Sequence, residues 1–197
     1  MNSISDTYRS IGAPARGTYK ELGSKFLAFA YPVETEEEVK TILASLRKEY
    51  FDARHHCYAW RLGLRGEPFR MNDDGEPSSS AGRPILGQLL SRELSDVLVV
   101  VVRYFGGVKL GVPGLIRAYR TATQDALDQA GTVEKTAGEI FTIQFEYLQM
   151  NDVMKVLKEL GITPLSQQFD LRCTIVARVR LTQIEDFRKQ LAFCRIN

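Results

Sequence analysis

Three carboxylates stand in one short turn of the sequence, and their chemistry is that of a cation site. Asp73, Asp74 and Glu76 are separated only by Gly75 and are followed by Pro77. Carboxylate oxygens are the ligands that Mg²⁺ and Ca²⁺ prefer. The spacing differs from that of an EF-hand, so a solvated acidic turn and ion pairs with nearby arginines remain alternatives. Mg²⁺ is thus an open possibility, and no metal is assigned. The motif turn comprises Asp73, Asp74, Gly75, Glu76, Pro77 and Ser78.

A second stretch combines glycines with cations in the manner of a phosphate-binding loop. An apolar run at 97–102 is followed by a glycine-rich loop, and a helical pattern begins at Leu115. Free N–H groups at a helix N-terminus, flanked by cations, suit an anion such as phosphate. Neither the Walker pattern nor the dinucleotide fingerprint is present, and glycines that only make a tight turn are the alternative. The candidates for binding phosphate or nucleic acid are Arg103, Gly106, Gly107, Lys109, Gly114, Arg117 and Arg120.

The nucleophile candidates have few bases to activate them. A serine needs an adjacent base to attack a substrate, and His55 and His56 are the only histidines available to the serines at 78–80. Neighbouring residues of a strand point to opposite faces, so at most one histidine faces a given pocket. Cys57 shares a face with His55, but a buried cysteine is more often structural. We therefore assign no catalytic residue.

A second basic surface is predicted in the C-terminal part of the chain. Arg172, Thr174, Arg178 and Arg180 alternate with apolar residues and so share one face of a strand. Such a face can follow a phosphate backbone. The alternative is a solvated sheet face, since no aromatic residue interleaves with the arginines to stack on bases.

The elements that position these groups follow from hydrophobic periodicity. The run 97–102 is nearly all β-branched, which predicts a strand buried on both faces. Helices are predicted from Thr35, where Glu38 completes a capping box, and from about Pro84. Further strands are predicted at 25–33, 55–63 and 67–72, and residues 1–17 are predicted to form a loose lead-in.

A break in the apolar pattern divides the chain. Residues 131–138 contain no apolar run and are predicted to be a linker. Beyond them the order β-α-β-β-α is that of a ferredoxin-like half, whose closing fourth strand is missing or very short. Thr182 and Glu185 predict a second capping box before the last helix. We therefore predict an α+β protein, an α/β sandwich, with domains at 1–132 and 137–197.

Composition limits the classes of function without choosing among them. The 26 basic and 24 acidic residues nearly balance, so only local patches bear on nucleic-acid binding. The three cysteines are far apart in sequence, which is typical of reduced thiols in the cytosol. We find neither a signal peptide nor a run of the roughly 20 apolar residues that span a membrane. The sequence therefore predicts a cytoplasmic protein with no membrane partner.

Three long motifs, in this order, closely resemble the IMPACT/YigZ family: HHCYAW, NDDGEPSSSAGRP and VVRYFGGVKLGVPGLIRAY. The resemblance spans about residues 16 to 130, and the C-terminal part is similar to the domain appended in bacterial members. It implies an N-terminal domain of the ribosomal-protein type, with helices on one side of a sheet, and a ferredoxin-like C-terminal domain as in elongation factor G. It also implies a link to translation, because the eukaryotic members act in translational control. They do so through an additional N-terminal domain that we expect this chain to lack, so that regulatory contact is not carried over. The resemblance also supplies no catalytic residues.

These observations lead to two functional hypotheses. The first is a non-catalytic factor that binds RNA or the ribosome and regulates translation. The second is a metal- or phosphate-dependent hydrolase of a small phosphorylated or peptide substrate, which requires the acidic turn and the glycine loop to share one cleft. Functional loops tend to gather at one end of a sheet. We therefore expect Arg103 or Lys109 to pair with the acidic turn, and Arg103→Glu to harm binding far more than folding. The sequence leaves the oligomeric state open.

Overall fold

The computed structural model describes residues 5–170 and 172–197 and contains both helices and sheets, as the predicted α+β class requires. The chain divides into two units. One runs from Tyr8 to Lys135, and the other runs from Thr136 to Asn197 and includes residues 5–7. Within the described ranges, no helix combines the length and the apolarity that a membrane span requires.

The larger unit is built around one antiparallel sheet. Its elements are β1 (Thr7–Ser10), β2 (Ala15–Glu21), β3 (Ser24–Pro32), α1 (Glu36–Glu49), β4 (His55–Arg61), β5 (Phe69–Asn72), α2 (Gly82–Ser91), β6 (Val97–Tyr104), α3 (Gly111–Ala130) and β7 (Val133–Thr136). The strand order of the sheet is β2-β3-β6-β4-β5, so the valine-rich strand β6 lies in the middle, paired with β3 on one side and β4 on the other. Two further strands, β1 and β7, pair with each other.

Helices cover both faces of this sheet. Residues of α2 and α3 pack with Val97, Val99 and Val101 on one face, and α1 packs with Leu98 and Val100 on the other. The arrangement implied by the resemblance, with helices on one side only, is therefore wrong for this chain. The reason lies in β6, whose side chains are apolar on both faces and must be removed from water on both.

The start of the described chain is more ordered than its polar sequence suggested. The region predicted as a loose lead-in contains β1 and the beginning of β2, and residues 1–4 lie outside the described ranges. Gly17 explains how the polar strand β2 packs against α3. A Cβ there would lie 2.3 Å from the backbone nitrogen of Ala126, so only glycine lets β2 approach α3 so closely. The predicted linker likewise contains β7, which pairs with β1.

The smaller unit is ferredoxin-like in order and in layering. Its elements are β8 (Gly138–Glu146), α4 (Met150–Glu159), β9 (Pro164–Phe169), β10 (Arg172–Arg180), α5 (Ile184–Gln190) and β11 (Arg195–Ile196). The sheet runs β11-β8-β10-β9, all antiparallel, and both helices cover the face that contains Ile143 and Ile175. The closing strand β11 is present but only two residues long, which agrees with the prediction of a very short one.

The two predicted capping boxes have different outcomes. At Thr35 the box is present, because the hydroxyl accepts from the Glu38 N–H and the Glu38 carboxylate accepts from the Thr35 N–H. At Thr182 the prediction is wrong. The Thr182 hydroxyl instead donates to Asp6 Oδ2 at 2.7 Å, and the last helix begins at Ile184. A sequence pattern shows which group can cap a helix, but a distant carboxylate can compete for that group.

Candidate functional site

The acidic turn lies between β5 and α2, and its first carboxylate holds the turn together. Asp73 Oδ1 accepts from the N–H groups of Ala81 and Gly82, at 3.0 and 2.8 Å. Its Oδ2 accepts from the N–H of Ser79 at 2.8 Å. Because α2 begins at Gly82 with no capping side chain at Ala81, Asp73 serves as the acceptor for the free donors of that helix end. Its role in the fold is therefore structural.

The second carboxylate ties the turn to β4 and to α1. Asp74 Oδ2 accepts from the His56 N–H at 2.7 Å, and Oδ1 accepts from the Arg47 guanidinium at 3.0 Å. The Asp74 carbonyl lies 2.8 Å from Nδ1 of His55. Both predicted histidines thus contact the backbone or the carboxylate of the acidic turn. Burial lowers the pKa of His56 below its usual value, so this imidazole is neutral near pH 7.

The third carboxylate turns inward and joins the two loops. Glu76 Oε1 accepts from Arg103 Nη1 at 2.6 Å and from the Tyr119 hydroxyl at 2.7 Å. The prediction that Arg103 pairs with the acidic turn is confirmed. The pair is buried rather than exposed, since the side chains of Arg103 and Glu76 are 7% and 3% accessible. Burial reverses the expected effect of Arg103→Glu, which should now disturb folding first.

A chain of hydrogen bonds continues from this pair into the core. The single S–H of Cys57 has two acceptors within reach, the Tyr119 hydroxyl oxygen at 3.2 Å and the Asp73 carbonyl at 3.0 Å. Burial raises the pKa of both the Cys57 thiol and the Tyr119 phenol, so both stay protonated at neutral pH. Cys57 is therefore a poor nucleophile here, because the thiolate is the reactive form.

The three carboxylates of the turn face different partners and do not converge on one point. Among the described residues, no group of three histidine, cysteine, aspartate or glutamate side chains is arranged to hold a metal ion. The serines also bond locally: the Ser80 hydroxyl donates to the Pro77 carbonyl at 2.6 Å. The hydrogen bonds of the turn thus explain its shape without any ligand.

A cavity of about 360 Å³ opens beside the buried pair, between the acidic turn and the start of α3. Exposed Lys109 and Phe105 line it together with Arg103 and Glu76. The helix begins at Gly111 with no side-chain cap, and Pro113 has no N–H, so Gly111 and Val112 carry the free backbone donors. A cation and two free N–H groups therefore border one cavity.

A second cavity of about 630 Å³ lies between α2 and α3 and shares Val112 with the first. Exposed Arg83 and Arg120 line it together with Ser78, Ser79 and Ile116. We call the two adjoining cavities the basic groove, with Lys109, Arg83 and Arg120 as its cations. The sequence pattern did not identify Arg83, because this residue precedes Pro84 and is distant in sequence from the glycine loop. The packing of α2 against α3 places Arg83 at the same cavity as Arg120.

The other predicted residues of the glycine loop lie elsewhere or serve the fold. Arg117 pairs with Glu21 on β2 rather than lining the groove. The Gly106 N–H donates to the Ser24 hydroxyl at 3.2 Å, and a Cβ at Gly106 would lie 1.9 Å from the Gly23 carbonyl carbon. Gly107 has a φ of 89°, which favours glycine, and Gly114 is buried inside the first turns of α3. The glycines thus allow close packing and a tight loop, as the alternative interpretation held.

The predicted basic strand face of the smaller unit is present, but the charge of one of its arginines is paired. Arg172, Arg178 and Arg180 are exposed on β10, on the face opposite the core. Arg180 forms a bidentate pair with Asp6, at 2.7 and 3.1 Å. This arginine holds the pKa of the Asp6 carboxyl well below its usual range, so the charge of Arg180 is balanced by a buried carboxylate.

Both loops lie within the residues that match the model of a known protein domain. A model of the Impact N-terminal domain matches residues 22–127. The chain is 34% identical over 173 residues to the IMPACT family member YigZ of Escherichia coli (strain K12), covering 86% of this chain and 84% of that protein. It is 38% identical over 136 residues to the IMPACT family member YvyE of Bacillus subtilis (strain 168), covering 69% of this chain and 63% of that protein.

One solved structure matches over nearly the whole length. It is described as the crystal structure of a hypothetical protein and has a TM-score of 0.75 at 28% identity, covering 98% of this chain and 97% of that chain. The match extends over both units of the fold, so the two-unit architecture is shared with an experimental structure.

Proposed function

Since this chain belongs to the IMPACT family, we propose that it is a non-catalytic cytoplasmic factor that binds RNA or the ribosome through the basic groove and acts in regulating translation. The observation that carries the proposal is the set of exposed cations at two adjoining cavities. Lys109 lines one cavity, Arg83 and Arg120 line the other, and Val112 borders both. A phosphate backbone is an extended anion that can reach cations in neighbouring cavities.

The start of α3 supports the phosphate part of the proposal. The N–H groups of Gly111 and Val112 carry partial positive charge at the end of a helix of 20 residues. Lys109 adds a full charge at the same cavity. Backbone donors with a flanking cation form the usual setting for a phosphate oxygen.

The exposed apolar side chains support a nucleic acid over a free anion. Phe105 and Val112 are 56% and 46% accessible and line the cavity beside Lys109. An exposed aromatic ring can stack on an unpaired base, which gives single-stranded RNA contacts that an inorganic ion cannot make. The guanidinium carbon of buried Arg103 lies 5.7 Å from the Phe105 ring centroid. This cation–π contact helps to position the ring at the cavity.

The link to translation rests on family membership. The resemblance described above implies that eukaryotic members act in translational control. A ribosomal partner would present backbone phosphates together with unpaired loop bases, which are the two features that the groove cations and Phe105 would suit.

The test measures binding of the full chain to a labelled single-stranded oligoribonucleotide and to purified ribosomes across a salt series. Lys109→Gln and Arg120→Gln should each weaken binding and reduce the slope of log K against log salt by about one. Arg117→Gln is the matched control, because it removes an exposed cation of α3 that pairs with Glu21 instead of lining the groove. Binding that does not depend on salt concentration, absence of binding, or an equal loss of affinity in Arg117→Gln would contradict the proposal that the basic groove binds RNA or the ribosome.

The hydrolase hypothesis keeps one supporting observation. The acidic turn and the glycine loop border the same cavity, and the hydrolase hypothesis requires these two loops to share one cleft. Mg²⁺ would then have to reach Glu76 past Arg103 and Tyr119, which already bind its Oε1. Release of phosphate from a panel of small phosphoesters, with and without Mg²⁺, decides the question. Turnover that requires Mg²⁺ and is lost in Glu76→Gln would favour the hydrolase.

A further inference from the structure

The smaller unit carries a cleft of its own, at one end of its four-stranded sheet. The cleft has a volume of about 470 Å³. Two exposed arginines, Arg172 and Arg195, line it from β10 and β11. The glycine loop and the basic groove belong to the other unit, so this cleft does not depend on the function proposed above.

The strand register explains why the arginines share one cleft. Gln144 on β8 pairs with Arg195 on β11 and with Thr174 on β10. Paired residues project from the same face, and Arg172 lies two positions from Thr174 on that face. With strands about 4.8 Å apart, β10 and β11 lie about 10 Å apart on either side of β8. Two guanidinium groups thus flank Gln144 from opposite sides, on the face without covering helices.

The remaining lining groups are polar, with one exposed ring. Gln149 accepts the Glu146 N–H with its side-chain oxygen at 2.9 Å, so its unused hydrogen-bonding groups are the NH₂ donors. The carboxylate of Glu146 also lines the cleft and accepts from the Gln149 N–H. Two arginines against one glutamate leave an excess of positive charge. The Phe193 side chain is 48% accessible and borders the same cleft just before β11.

We propose that this cleft binds a nucleoside phosphate, with the phosphate between Arg172 and Arg195 and the base against Phe193. Guanidinium groups match phosphate oxygens in charge and in geometry. An aromatic face supplies the stacking partner of a base, and the amides of Gln144 and Gln149 line the same cleft as further hydrogen-bonding groups. Free nucleotides and the nucleotides of an RNA strand share this chemistry, and the test separates them.

The experiment titrates the full chain with AMP, with adenosine and with a short oligoadenylate, following binding by calorimetry and by amide chemical shifts. Arg172→Gln and Arg195→Gln should each weaken AMP binding by about tenfold or more, because each removes a charge-assisted contact to phosphate. Phe193→Leu should weaken AMP and adenosine alike. Arg178→Gln is the matched control, an exposed arginine on the same strand and face that does not line the cleft.

The shifts locate the site independently of affinity. We expect AMP to perturb the amides of residues 144–149, 172–174 and 193–195, and Lys109→Gln to leave those shifts unchanged. Binding of AMP identifies a free nucleotide as sufficient, whereas binding of oligoadenylate alone at the same amides identifies RNA as the source. Absence of binding by both AMP and oligoadenylate, shifts confined to other residues, or an equal loss of affinity in Arg178→Gln would overturn the proposal. Since the groove variants test a different unit, failure here leaves the proposed function untouched.

Discussion

Two groups of charged residues meet beside the start of α3, and they differ in what surrounds them. In the buried network, Arg103 is bound to Glu76 and the pair is nearly inaccessible to water. In the basic groove, Lys109, Arg83 and Arg120 are exposed to solvent. A buried charge must be paired, because leaving it alone costs its full desolvation. An exposed charge contributes little to stability and remains available to a ligand. Burial therefore decides which cations build the site and which can bind.

The largest expected effect comes from breaking the buried network. Arg103→Glu would place a second carboxylate beside Glu76, and we expect it to lower the free energy of unfolding by about 3–5 kcal/mol or more. Urea unfolding of the purified variant gives this value directly. The control is the double variant Arg103→Met with Glu76→Gln, in which no charge is buried and Tyr119 keeps an acceptor. If Arg103→Glu unfolds like the wild type, the distinction between the two groups fails.

The next effect concerns the carboxylate that caps α2. Asp73→Ala leaves the N–H groups of Ser79, Ala81 and Gly82 without their acceptor, which should cost about 2 kcal/mol. Asp73→Asn keeps one acceptor oxygen and should cost less. Equilibrium unfolding of both variants beside Ser78→Ala, an exposed neighbour, measures the difference. Equal stability of Asp73→Ala and Ser78→Ala would mean that the turn does not need this carboxylate.

A smaller, pH-dependent effect follows from His56. Burial lowers its pKa in the folded protein below 6.5, so the unfolded chain binds a proton more readily than the folded one. The stability that depends on a neutral His56 is therefore fully present above pH 6.5, and it is lost as the pH falls through and below that value. We expect the urea midpoint of the wild type to decrease more between pH 7 and pH 5 than that of His56→Gln. Parallel curves for the two proteins would contradict the assignment.

The smallest expected effect on stability concerns the exposed cations of the basic groove. Lys109→Gln removes an exposed cation, and we expect the free energy of unfolding to change by less than about 0.5 kcal/mol. Thermal melts of this variant and of Arg83→Gln should overlay that of the wild type. A marked loss of stability in either would show that the groove cations belong to the fold.

The sequence predicted the elements whose pattern is local. The apolar run of β6, the capping box at Thr35 and the short closing strand of the smaller unit all depend on neighbouring residues or on one periodicity. The contact between Arg103 and the acidic turn was also predictable, because opposite charges at adjacent loop ends attract.

The errors have a common physical cause, which is long-range packing. Nothing in the polar sequence of β2 shows that Gly17 lets it lie against α3. Thr182 stands in the sequence pattern of a helix cap, yet its hydroxyl donates a hydrogen bond to Asp6, which is distant in sequence. Burial of Arg103 depends on Phe26, Glu76 and Tyr119 arriving from three separate segments. The candidate site was therefore found by motif, but the roles of its residues needed the fold.

The central strand has a further consequence for handling the protein. Val97–Val102 combines high β-propensity with the absence of charge, proline and glycine, which is the composition of an aggregation-prone segment. In the native state, strands on both edges and helices on both faces conceal it. Asp96 and Arg103 bracket the run with opposite charges and act as gatekeepers. We therefore expect a variant that loses Arg103 to form inclusion bodies at high expression, through the valine segment that the native sheet conceals.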